Sequence, residues 1–485
     1  MSNPNKEKKK MSKKRNDRIT SRDVDFAKWY TDVVIQADLI DYAPVKGTMI
    51  FKPHGYGIWE LIMQNLDAEF KQLGVENVYL PLLIPASLFN QEKEHIEGFA
   101  PEVLTVTKVG DKPLEEELYI RPTSEVLFSQ YFKNNIHSYR DLPLKNNQWV
   151  NVMRWEKTTR PFLRTSEFLW QEGHTMHATS GEADQFALTI LNLYAKFVEE
   201  YLLIPVIKGT KTINERFAGA KETYTIESLM HDGQALQTGT SHFLGDNFAK
   251  VFDIKFQNAD GELEYAYGSS WGVSTRMIGA LIMTHADDQG LVLPSKVAPV
   301  QVQILQLSSE SLVQNVVDQL KATLIKDYRV KVDASEKTFG YKMASSEIKG
   351  VPIRIEAGMR DVAQEQVVIS SRVGDNKTTV KLDQVKTFVD KALITYDQEL
   401  FKRAKNSLET RIYQAQTLSE YQKGIATQPG LYLVPFCGRV VCEKEIKQKT
   451  STNSRCIPFN HDQSVEPCFN CGQATKIKAY FGRAY

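Results

Sequence analysis

The spacing of apolar and polar residues changes several times along the chain, and each change predicts a different element. The segment GIWELIMQNLDAEFKQLG, residues 57–74, has apolar residues at helical intervals and ends at Gly74, a typical helix C-terminal cap. The next run, VENVYLPLLIP, is rich in β-forming residues but is broken by prolines. The segment ADQFALTILNLYAKFVEEYL, residues 183–202, predicts a second amphipathic helix. Strand-like runs therefore alternate with helices from about residue 19 to residue 293.

The segment MRWEKTTRPFLRTSEFLWQEGH, residues 153–174, combines many charged side chains with large aromatic ones. Its apolar residues do not recur at three- and four-residue intervals, so the pattern does not indicate a helix. It predicts two strands joined by the basic loop KTTRP, because Pro161 has no backbone donor and suits a turn. Such a hairpin would direct alternate side chains into one cleft that is both cationic and aromatic.

The pattern changes after GLVLPSKVAP, residues 290–299, where we place a linker. The runs VQVQILQL, YRVKVDA, VPIRIEA and QVVISS then alternate with helical segments, which predicts a compact α/β domain. Residues 382–425 have the pattern of helices, and the cysteines follow them. The sequence therefore predicts four parts, which are residues 1–18, 19–296, 297–398 and 399–485.

Length and charge narrow the class of protein. A chain of 485 residues can hold two or three domains, and its net charge of +1 excludes a strongly basic nucleic-acid coat. No apolar run reaches the ~20 residues of a membrane span, so we expect no membrane association. Residues 1–18 lack the apolar stretch of a secretory signal and predict a solvated, disordered tail, with RNA affinity or targeting as alternatives. We expect a cytoplasmic protein.

All five cysteines lie between Cys437 and Cys471, which indicates one local site in a reducing compartment. Two closely spaced pairs, CGRVVC and CFNC, match a tetrahedral zinc site with Cys437, Cys442, Cys468 and Cys471 as ligands. Such a site is structural, because four thiolates leave no open coordination position. Cys456 falls outside both pairs and is left as a free thiol. The alternative is that the four cysteines are incidental.

With these pieces in order, the chain resembles the class II aminoacyl-tRNA synthetases, and within them the archaeal and eukaryotic-like prolyl-tRNA synthetases. The resemblance runs from about residue 19 to the last residue. Its motif 1 ends in VYLPLLIP with Pro81, its motif 2 is the segment 153–174, and its motif 3 is GSSWGVSTRMIGALIMTH with Arg276. It implies a multidomain α+β and α/β fold: an antiparallel-sheet catalytic domain, an α/β anticodon-binding domain and a small zinc-containing C-terminal domain.

The resemblance implies a proline–tRNA ligase, which activates L-proline with ATP and transfers the prolyl group to tRNA(Pro). The attacking carboxylate is already an anion, so catalysis can come from positioning and from neutralising phosphate charge, tasks that suit arginine. In the resemblance Arg154 bridges the α-phosphate and the carboxylate, and Glu156, two residues on and on the same strand face, accepts from adenine. Arg164 reaches the outer phosphates and Arg276 stacks on adenine. Mg²⁺ accompanies the phosphates.

The same resemblance implies two sets of binding residues. ATP would be bound by Arg154, Glu156, Arg164, Thr165, Gln237, Thr240, Ser274 and Arg276. Proline would be bound by Thr123, Glu125, Arg154, Phe168, Trp170, His174, Phe217 and His242. The alternatives are that Phe168 and Trp170 are ordinary core aromatics and that His174 is structural. We expect His285 to be structural, and a solvated turn at Asp287 and Asp288 rather than a metal site.

Proline has no polar side-chain group, so we expect a tight aromatic pocket that rejects alanine only weakly, by about 1–3 kcal/mol per methylene. Bacterial-type relatives carry an editing insertion between motifs 2 and 3. The stretch from Arg164 to Gly268 leaves no room for one, so correction would need a separate enzyme.

The α/β domain resembles an anticodon-binding domain, in which unstacked bases are read on their edges. The segment SSEIKGVPIRIEAGMRD is the expected reading edge, with Glu347 and Arg354 on the guanines and Lys342 supplying charge for the RNA backbone. The alternative is that these three are solvated surface residues. The resemblance also implies a terminal carboxylate at Tyr485 close to the active site.

Motif 1 implies a homodimer, and we expect the helix over residues 57–74 to expose apolar residues that a second copy covers. Three rival hypotheses are weaker. A threonyl enzyme has a cysteine zinc ligand in its catalytic pocket, and here no cysteine precedes Cys437. A seryl enzyme would bring a long N-terminal coiled coil. An inactive RNA-binding relative could lose Arg154, Glu156 or Arg276, and all three are present.

Overall fold

The computed structural model describes residues 18–92, 103–374 and 377–485. The prediction of a disordered tail falls outside the described residues, except at Arg18. Within the described part, no helix is long and apolar enough to cross a membrane. Three modules follow one another along the chain, and their elements are given below in chain order.

The first module contains the elements α1 to α7 and β1 to β14. They are α1 Phe26–Gln36, β1 Ile40–Tyr42, β2 Met49–Phe51, α2 Pro53–Gln72, β3 Glu76–Asn77, β4 Leu83–Pro85, α3 Ala86–Phe89, β5 Thr105–Val109, β6 Lys112–Ile120, α4 Glu125–Asn135, β7 Leu144–Met153, β8 Glu167–His177, α5 Ser180–Glu200, β9 Ile207–Thr210, β10 Glu222–Leu229, β11 Ala235–Gly245, α6 Asn247–Phe252, β12 Lys255–Gln257, β13 Leu263–Tyr265, β14 Tyr267–Ser274 and α7 Arg276–His285.

An antiparallel sheet with the order β9-β10-β11-β14-β8-β7 forms the centre of this module. Helix α5 packs against the sheet and begins at a capping box, in which Thr179 and Glu182 satisfy each other's backbone donors. Its apolar stripe buries Ile190 and Tyr194 in the main core, and the Tyr194 hydroxyl hydrogen-bonds Gln171 of β8 at 2.5 Å. Helix α5 therefore packs on the face of β8 that contains Gln171. The alternate side chains of β8 point to the opposite face of the sheet.

Both helices expected in this part of the chain are present. Helix α2 ends one residue before Leu73, and Gly74 follows with φ +72°, the left-handed conformation that a glycine after a helix provides. The run VENVYLPLLIP forms only the short strands β3 and β4. The expectation that residues 57–74 expose apolar side chains holds only for the partly buried Leu61, Met63 and Leu73. The other large apolar side chains are turned into the core: Ile58, Trp59, Ile62, Leu66 and Phe70.

The second module has the expected α/β pattern. Its elements are β15 Val302–Gln306, α8 Ser311–Leu324, β16 Val330–Asp333, α9 Phe339–Ile348, β17 Ile353–Ala357, α10 Met359–Val362, β18 Gln366–Ser371, β19 Lys377–Lys381 and α11 Val385–Glu409. The sheet order is β16-β15-β17-β18-β19, with parallel pairing among the first three strands and antiparallel pairing beyond. The predicted boundary between residues 398 and 399 falls inside α11.

The third module joins the first through a shared sheet. Its elements are β20 Ile412–Gln414, α12 Leu418–Thr427, β21 Leu431–Pro435, α13 Val440–Thr450, β22 Asn453–Pro458, β23 Glu466–Pro467, β24 Ala474–Thr475 and β25 Lys478–Gly482. Strand β22 pairs with β9, so the order β20-β21-β25-β22 continues the central sheet. With β3 paired in parallel to β7 at the opposite edge, the sheet has eleven strands. The helices expected over residues 382–425 are present, with β20 between them.

The turn at the end of α7 contacts the second module and the segment that precedes α1. Asp287 accepts two hydrogen bonds from Arg372 of the second module, at 2.5 and 3.0 Å, and Asp288 accepts one from the Ser21 hydroxyl at 2.8 Å. The expected turn is present but only partly solvated, since the Asp287 side chain is 40% exposed and pairs with Arg372. The expectation for His285 is confirmed, since its Nε2 lies 2.8 Å from the Leu202 carbonyl and burial lowers its pKa to about 4.

Candidate active site

The charged aromatic segment forms the predicted hairpin, with a longer loop than expected. Strands β7 and β8 pair from Leu144 opposite Met176 to Met153 opposite Glu167, and residues 154–166 connect them. Glu156 thus lies beyond the end of β7, so the argument that it shares a strand face with Arg154 is wrong. The Arg154 N–H still donates to the Ser166 carbonyl at 2.8 Å, which continues the pairing by one step.

The connecting loop is held from two distant parts of the chain. The Tyr30 hydroxyl of α1 donates to the Pro161 carbonyl at 2.7 Å. The Arg160 guanidinium lies 5.1 Å from the ring centre of Tyr30 and 5.6 Å from that of Tyr485, within cation–π range of both. The Tyr485 N–H donates to the Ala235 carbonyl at 3.2 Å. The last residue therefore lies beside the loop that follows β7.

A cavity of about 290 Å³ opens over the central sheet. It is lined by twelve of the predicted site residues: Thr123, Glu125, Arg154, Phe168, Trp170, His174, Phe217, Gln237, Thr240, His242, Ser274 and Arg276. The predicted residues Glu156, Arg164 and Thr165 belong to the loop and do not line the cavity. Glu156 and Arg164 form an ion pair at 3.9 Å. Arg164 lowers the pKa of Arg276 and Glu156 raises it.

Two arginines bring buried positive charge to the cavity. The Arg154 Nε donates to the Pro122 carbonyl at 2.9 Å, and the Arg276 Nε donates to the Leu163 carbonyl at 3.3 Å. Burial, followed by repulsion from Arg154 and Arg164, lowers the pKa of Arg276 to about 10. Burial also lowers the pKa of Arg154, while nearby carboxylates oppose that change. Both arginines stay charged near neutral pH, so the cavity is suited to an anion.

Carboxylates occupy another part of the same cavity. Glu125 begins helix α4, and its Oε2 accepts a hydrogen bond from the Thr123 hydroxyl. Glu172 accepts from the Ser124 N–H at 3.1 Å and from the Gln148 side chain at 2.6 Å. Because both carboxylates are buried and held by donors, this part of the cavity is suited to a cation such as an ammonium group.

Aromatic rings line the space beside the arginines. Phe168 and Trp170 meet edge to face at 5.9 Å, and the Arg154 guanidinium lies 5.4 and 5.3 Å from their ring centres. Phe217 packs on His242 at 4.6 Å. The Trp170 Nε1 is buried without a hydrogen-bond partner among the described residues, so a bound ligand could accept from it.

The two histidines of the cavity lie in different surroundings. His174 stacks on Phe128 at 4.2 Å, and its Nε2 lies 3.7 Å from Glu172. His242 Nδ1 lies 3.1 Å from the Thr223 hydroxyl. Burial, with the nearby His174, lowers the pKa of His242 to about 3, so this ring is neutral at physiological pH.

Several lining residues were missed by the sequence analysis: Glu172, Lys211, Glu215, Thr223, Thr238, Ser270 and Trp271. Glu172 could have been found, because Phe168, Trp170, Glu172 and His174 alternate along β8 and share one face. No comparable signal marks Lys211, which follows β9 directly and reaches the cavity only because β9 lies in the same sheet.

Away from this cavity, the four predicted cysteines converge in the third module. Their sulfur atoms all lie within 4.8 Å of one another, with 3.8 Å between Cys442 and Cys468 and 3.7 Å between Cys437 and Cys471. Zn–S bonds of about 2.3 Å in a tetrahedron place sulfur atoms about 3.8 Å apart, so the residues fit a zinc ion. Cys456 is buried in β22, outside this group.

Two of the three predicted anticodon residues, Glu347 and Arg354, pair with each other, whereas Lys342 contacts neither. Arg354 is 7% exposed, and it donates to Glu356 at 3.2 Å and to Glu347 at 3.3 Å. Lys342 is 3% exposed, and its Nζ donates to the Gln306 carbonyl at 2.7 Å and to the Asp333 carbonyl at 3.2 Å. Lys342 therefore holds α9 to the sheet, which argues against the predicted role of this ammonium on the RNA backbone.

Comparison with known proteins agrees with this arrangement. Residues 106–285 match the family "tRNA synthetase class II core domain (G, H, P, S and T)". Residues 301–392 match "Anticodon binding domain", and residues 418–485 match "Prolyl-tRNA synthetase, C-terminal". The three matches fall in the three modules in the same order.

Individual relatives match nearly the whole chain. The proline–tRNA ligase of Mycoplasma mycoides subsp. mycoides SC is 59% identical over 474 residues, covering 98% of this chain and 100% of the relative. That of Lachnoclostridium phytofermentans is 50% identical over 471 residues, covering 96% and 98%. The crystal structure of prolyl-tRNA synthetase from Cryptosporidium parvum complexed with halofuginone and AMPPNP has a TM-score of 0.92 and 39% identity, covering 96% of this chain and 99% of that one. At this identity and coverage, the protein belongs to the proline–tRNA ligases, the prolyl members of the class II aminoacyl-tRNA synthetases.

Proposed function

We propose that this chain activates L-proline with ATP to prolyl-adenylate and pyrophosphate, and then transfers the prolyl group to the 3′ end of tRNA(Pro). The observation that carries the proposal is a single cavity that combines carboxylates, an aromatic wall and buried arginines. Proline presents an ammonium group, an apolar ring and a carboxylate, which are complementary to those three features. The full-length relatives named proline–tRNA ligase support the same reaction.

Proline binding is assigned to the carboxylate and aromatic parts of the cavity. Glu125 and Thr123 would hold the secondary ammonium, and Glu172 would add a second negative charge close to it. The Arg154 guanidinium would bind the proline carboxylate. The ring would lie against the remaining predicted residues, which are Phe168, Trp170, His174, Phe217 and His242. Because the pocket offers only size and shape to select the ring, alanine should also be activated to some extent.

The chemistry requires no general base, since the proline carboxylate attacks the α-phosphorus as an anion. Arg154 would neutralise charge on both reacting groups, and Arg276 would stack on adenine and balance the phosphates. Glu156 would accept from the adenine amino group and Arg164 would reach the outer phosphates. Thr165, Gln237, Thr240 and Ser274 would complete the ATP site. Mg²⁺ would accompany ATP, because phosphate oxygens are ligands that it prefers.

The experiment that tests this function is the charging of tRNA. Purified protein with ATP, labelled proline and a tRNA(Pro) transcript should form prolyl-tRNA, while a transcript for another amino acid should stay uncharged. Replacing proline by alanine should give much less product. If the folded protein charges neither transcript, the proposed function is wrong.

We also propose a structural zinc ion at Cys437, Cys442, Cys468 and Cys471, which the sulfur distances support. Such a site couples metal binding to local folding, so chelation should loosen the third module first. Metal analysis should find about one zinc per wild-type chain and little in a Cys468→Ser, Cys471→Ser double variant. Zinc retained by the double variant would contradict the assignment, and a Cys456→Ser variant should keep its metal.

For the second module we propose anticodon recognition through Glu347 and Arg354. Glu347 is partly exposed, and its ion pair with Arg354 could be exchanged for contacts to guanine edges. Lys342 is assigned to the fold of the module and not to RNA. Domain limits of 19–296, 297–398 and 399–485 are part of the proposal, with α11 shared across the second limit.

We propose that the active form is a homodimer in the cytoplasm. The support for a dimer is a set of exposed apolar side chains in β1, β2, the segment that follows β3, and the start of β4: Tyr42, Ile50, Tyr79, Leu82 and Leu83. Sedimentation at micromolar protein should therefore give about twice the 55.2 kDa of one chain. A single species at the chain mass would contradict a dimer.

A further inference from the structure

A buried group of three charged residues joins the third module to the wall of the active-site cavity. The Lys211 Nζ donates to Glu227 Oε1 at 2.7 Å. The Arg455 Nε and Nη2 donate to Glu227 Oε2 at 3.0 and 2.6 Å. Lys211 and Glu227 belong to the first module and Arg455 to β22 of the third. Their exposed fractions are 4%, 0% and 6%, so solvent screens these charges weakly.

The group carries two positive charges and one negative charge. Glu227 has both oxygens occupied by the two cations, and its Oε1 also accepts from the Thr225 hydroxyl at 3.1 Å. One unit of positive charge is therefore left without a carboxylate inside the group. Lys211 lines the cavity, and the charge of Arg455 reaches Arg276, whose pKa it helps to lower.

The backbone next to Lys211 pairs with strand β22. Thr210 pairs with Ile457, and a Cβ placed on Gly209 would lie 2.3 Å from the Ile457 carbonyl oxygen. The Thr212 hydroxyl lies 3.1 Å from the Ser454 hydroxyl. The Lys211 Nζ also donates to the Arg455 carbonyl at 2.8 Å, so both the charge and the backbone of residue 455 set its position.

We propose that Arg455 is a positioning residue for ATP, acting through Glu227 and Lys211 to hold net positive charge at the wall of the cavity. The inference rests on the proposed activation reaction. ATP is a polyanion, whereas proline is a zwitterion with no net charge, so a net positive potential at this wall favours ATP far more than proline. The third module thereby contributes to nucleotide binding from outside the class II core.

The test separates the affinity for ATP from the affinity for proline. Proline-dependent ATP–pyrophosphate exchange is measured for wild type, Arg455→Met and Arg455→Lys. Loss of the charge in Arg455→Met should raise the KM for ATP about tenfold, while the KM for proline changes less than about twofold. Arg455→Lys keeps the charge and should restore most of the ATP affinity. Equal increases in both KM values, unrescued by lysine, would show a merely structural role and overturn the proposal.

A second pair of variants keeps the test decisive if Arg455→Met does not fold. Lys211→Met removes the same unit of charge without substituting a residue of β22, and it should also raise the KM for ATP selectively. Glu227→Gln removes the negative charge and should not raise it. If both variants raise the KM for ATP alike, the electrostatic account is wrong. A wild-type protein without proline-dependent exchange would instead overturn the proposed function itself.

Discussion

The active-site cavity and the predicted anticodon edge both contain buried arginines, but the guanidinium groups have different partners in the two regions. In the cavity, the guanidinium groups of Arg154 and Arg276 each donate to a backbone carbonyl and lie close enough to repel each other. At the other edge, Arg354 is paired with two carboxylates, Glu347 and Glu356. The first arrangement surrounds Arg276 with more arginines than carboxylates, whereas the second pairs Arg354 with carboxylates of the protein.

This difference has a physical reason. A buried charge costs free energy unless opposite charge lies close to it, and the repulsion that Arg276 experiences from its neighbouring arginines would be relieved by a bound anion. Phosphate groups can do so in the cavity. A nucleobase is neutral, and its edge exchanges hydrogen bonds with paired side chains without bringing charge. The pairing of Arg354 is therefore compatible with base recognition, and the mutual repulsion of the cavity arginines is compatible with phosphate recognition.

The largest expected effect comes from removing charge in the cavity. Arg154→Ala should reduce proline-dependent exchange by about 10³-fold, because one arginine serves both reacting anions. Arg154→Lys should recover only part of this loss, since an ammonium group cannot bind two oxygens in a planar fork. The matched control is Arg403→Ala on the exposed side of α11, where Arg403 pairs only with Glu399 among the contacts described. An Arg154→Ala enzyme with most of its activity would contradict the assigned role.

A smaller effect is expected at the anticodon edge. Glu347→Gln should raise the KM for tRNA(Pro) about tenfold, since one lost base contact is worth about 1–3 kcal/mol. Exchange without tRNA serves as the internal reference in the same preparation and should keep its wild-type rate. If exchange falls as much as charging does, the residue acts on the fold and the distinction between the two regions fails.

The smallest effect concerns pH, where we expect proline binding to stay constant. Burial holds the pKa of His242 at about 3, so this ring does not titrate between about pH 6 and 8. The KM for proline should therefore show no inflection attributable to it near pH 6.5. An inflection there that His242→Gln removes would show that the ring does titrate in the site.

The same pKa values predict how stability changes with pH. His54 and His285 have folded-state pKa values of about 4, and His242 of about 3, against about 6.5 in an unfolded chain. Below pH 6.5 the unfolded chain binds protons that the folded chain does not, so stability falls as the pH decreases. The melting temperature should be lower near pH 5.5 than near pH 7.5, and an equal or higher value would contradict the burial of these rings.

The hairpin of the site could be predicted from local rules, whereas the individual site residues and their roles were implied by the family resemblance. The alternation along β8 places Phe168, Trp170 and His174 on one face, and motif 3 places Arg276 at the first residue of α7. The buried position of Lys342 could not be predicted, because the sequence of a short helix does not show that a lysine ammonium group turns inward to backbone carbonyls. The contact between Arg455 and Glu227 could not be predicted from local patterns, because the two residues lie 228 positions apart in the sequence.

The apolar residues of α2 show a second thing that the sequence pattern does not predict, namely the surface on which a helix packs. A helical pattern identifies an apolar face, but it does not say whether that face packs on the same chain or on a second copy. In this chain most of that face packs on the core, although Tyr56 near the start of α2 is 41% exposed. Further exposed apolar side chains lie on β1, β2 and the segment after β3. The expected dimer thus depends on a surface that the periodicity of the helix did not reveal.

The central claim is that the cavity activates proline, and amino-acid-dependent ATP–pyrophosphate exchange tests it most directly. The purified protein is assayed without tRNA against each of the twenty amino acids at equal concentration. We predict strong exchange with proline, a weak signal with alanine and none above background with the others. A stronger signal with another amino acid, or no exchange with proline from protein that is folded and binds ATP, would contradict the account.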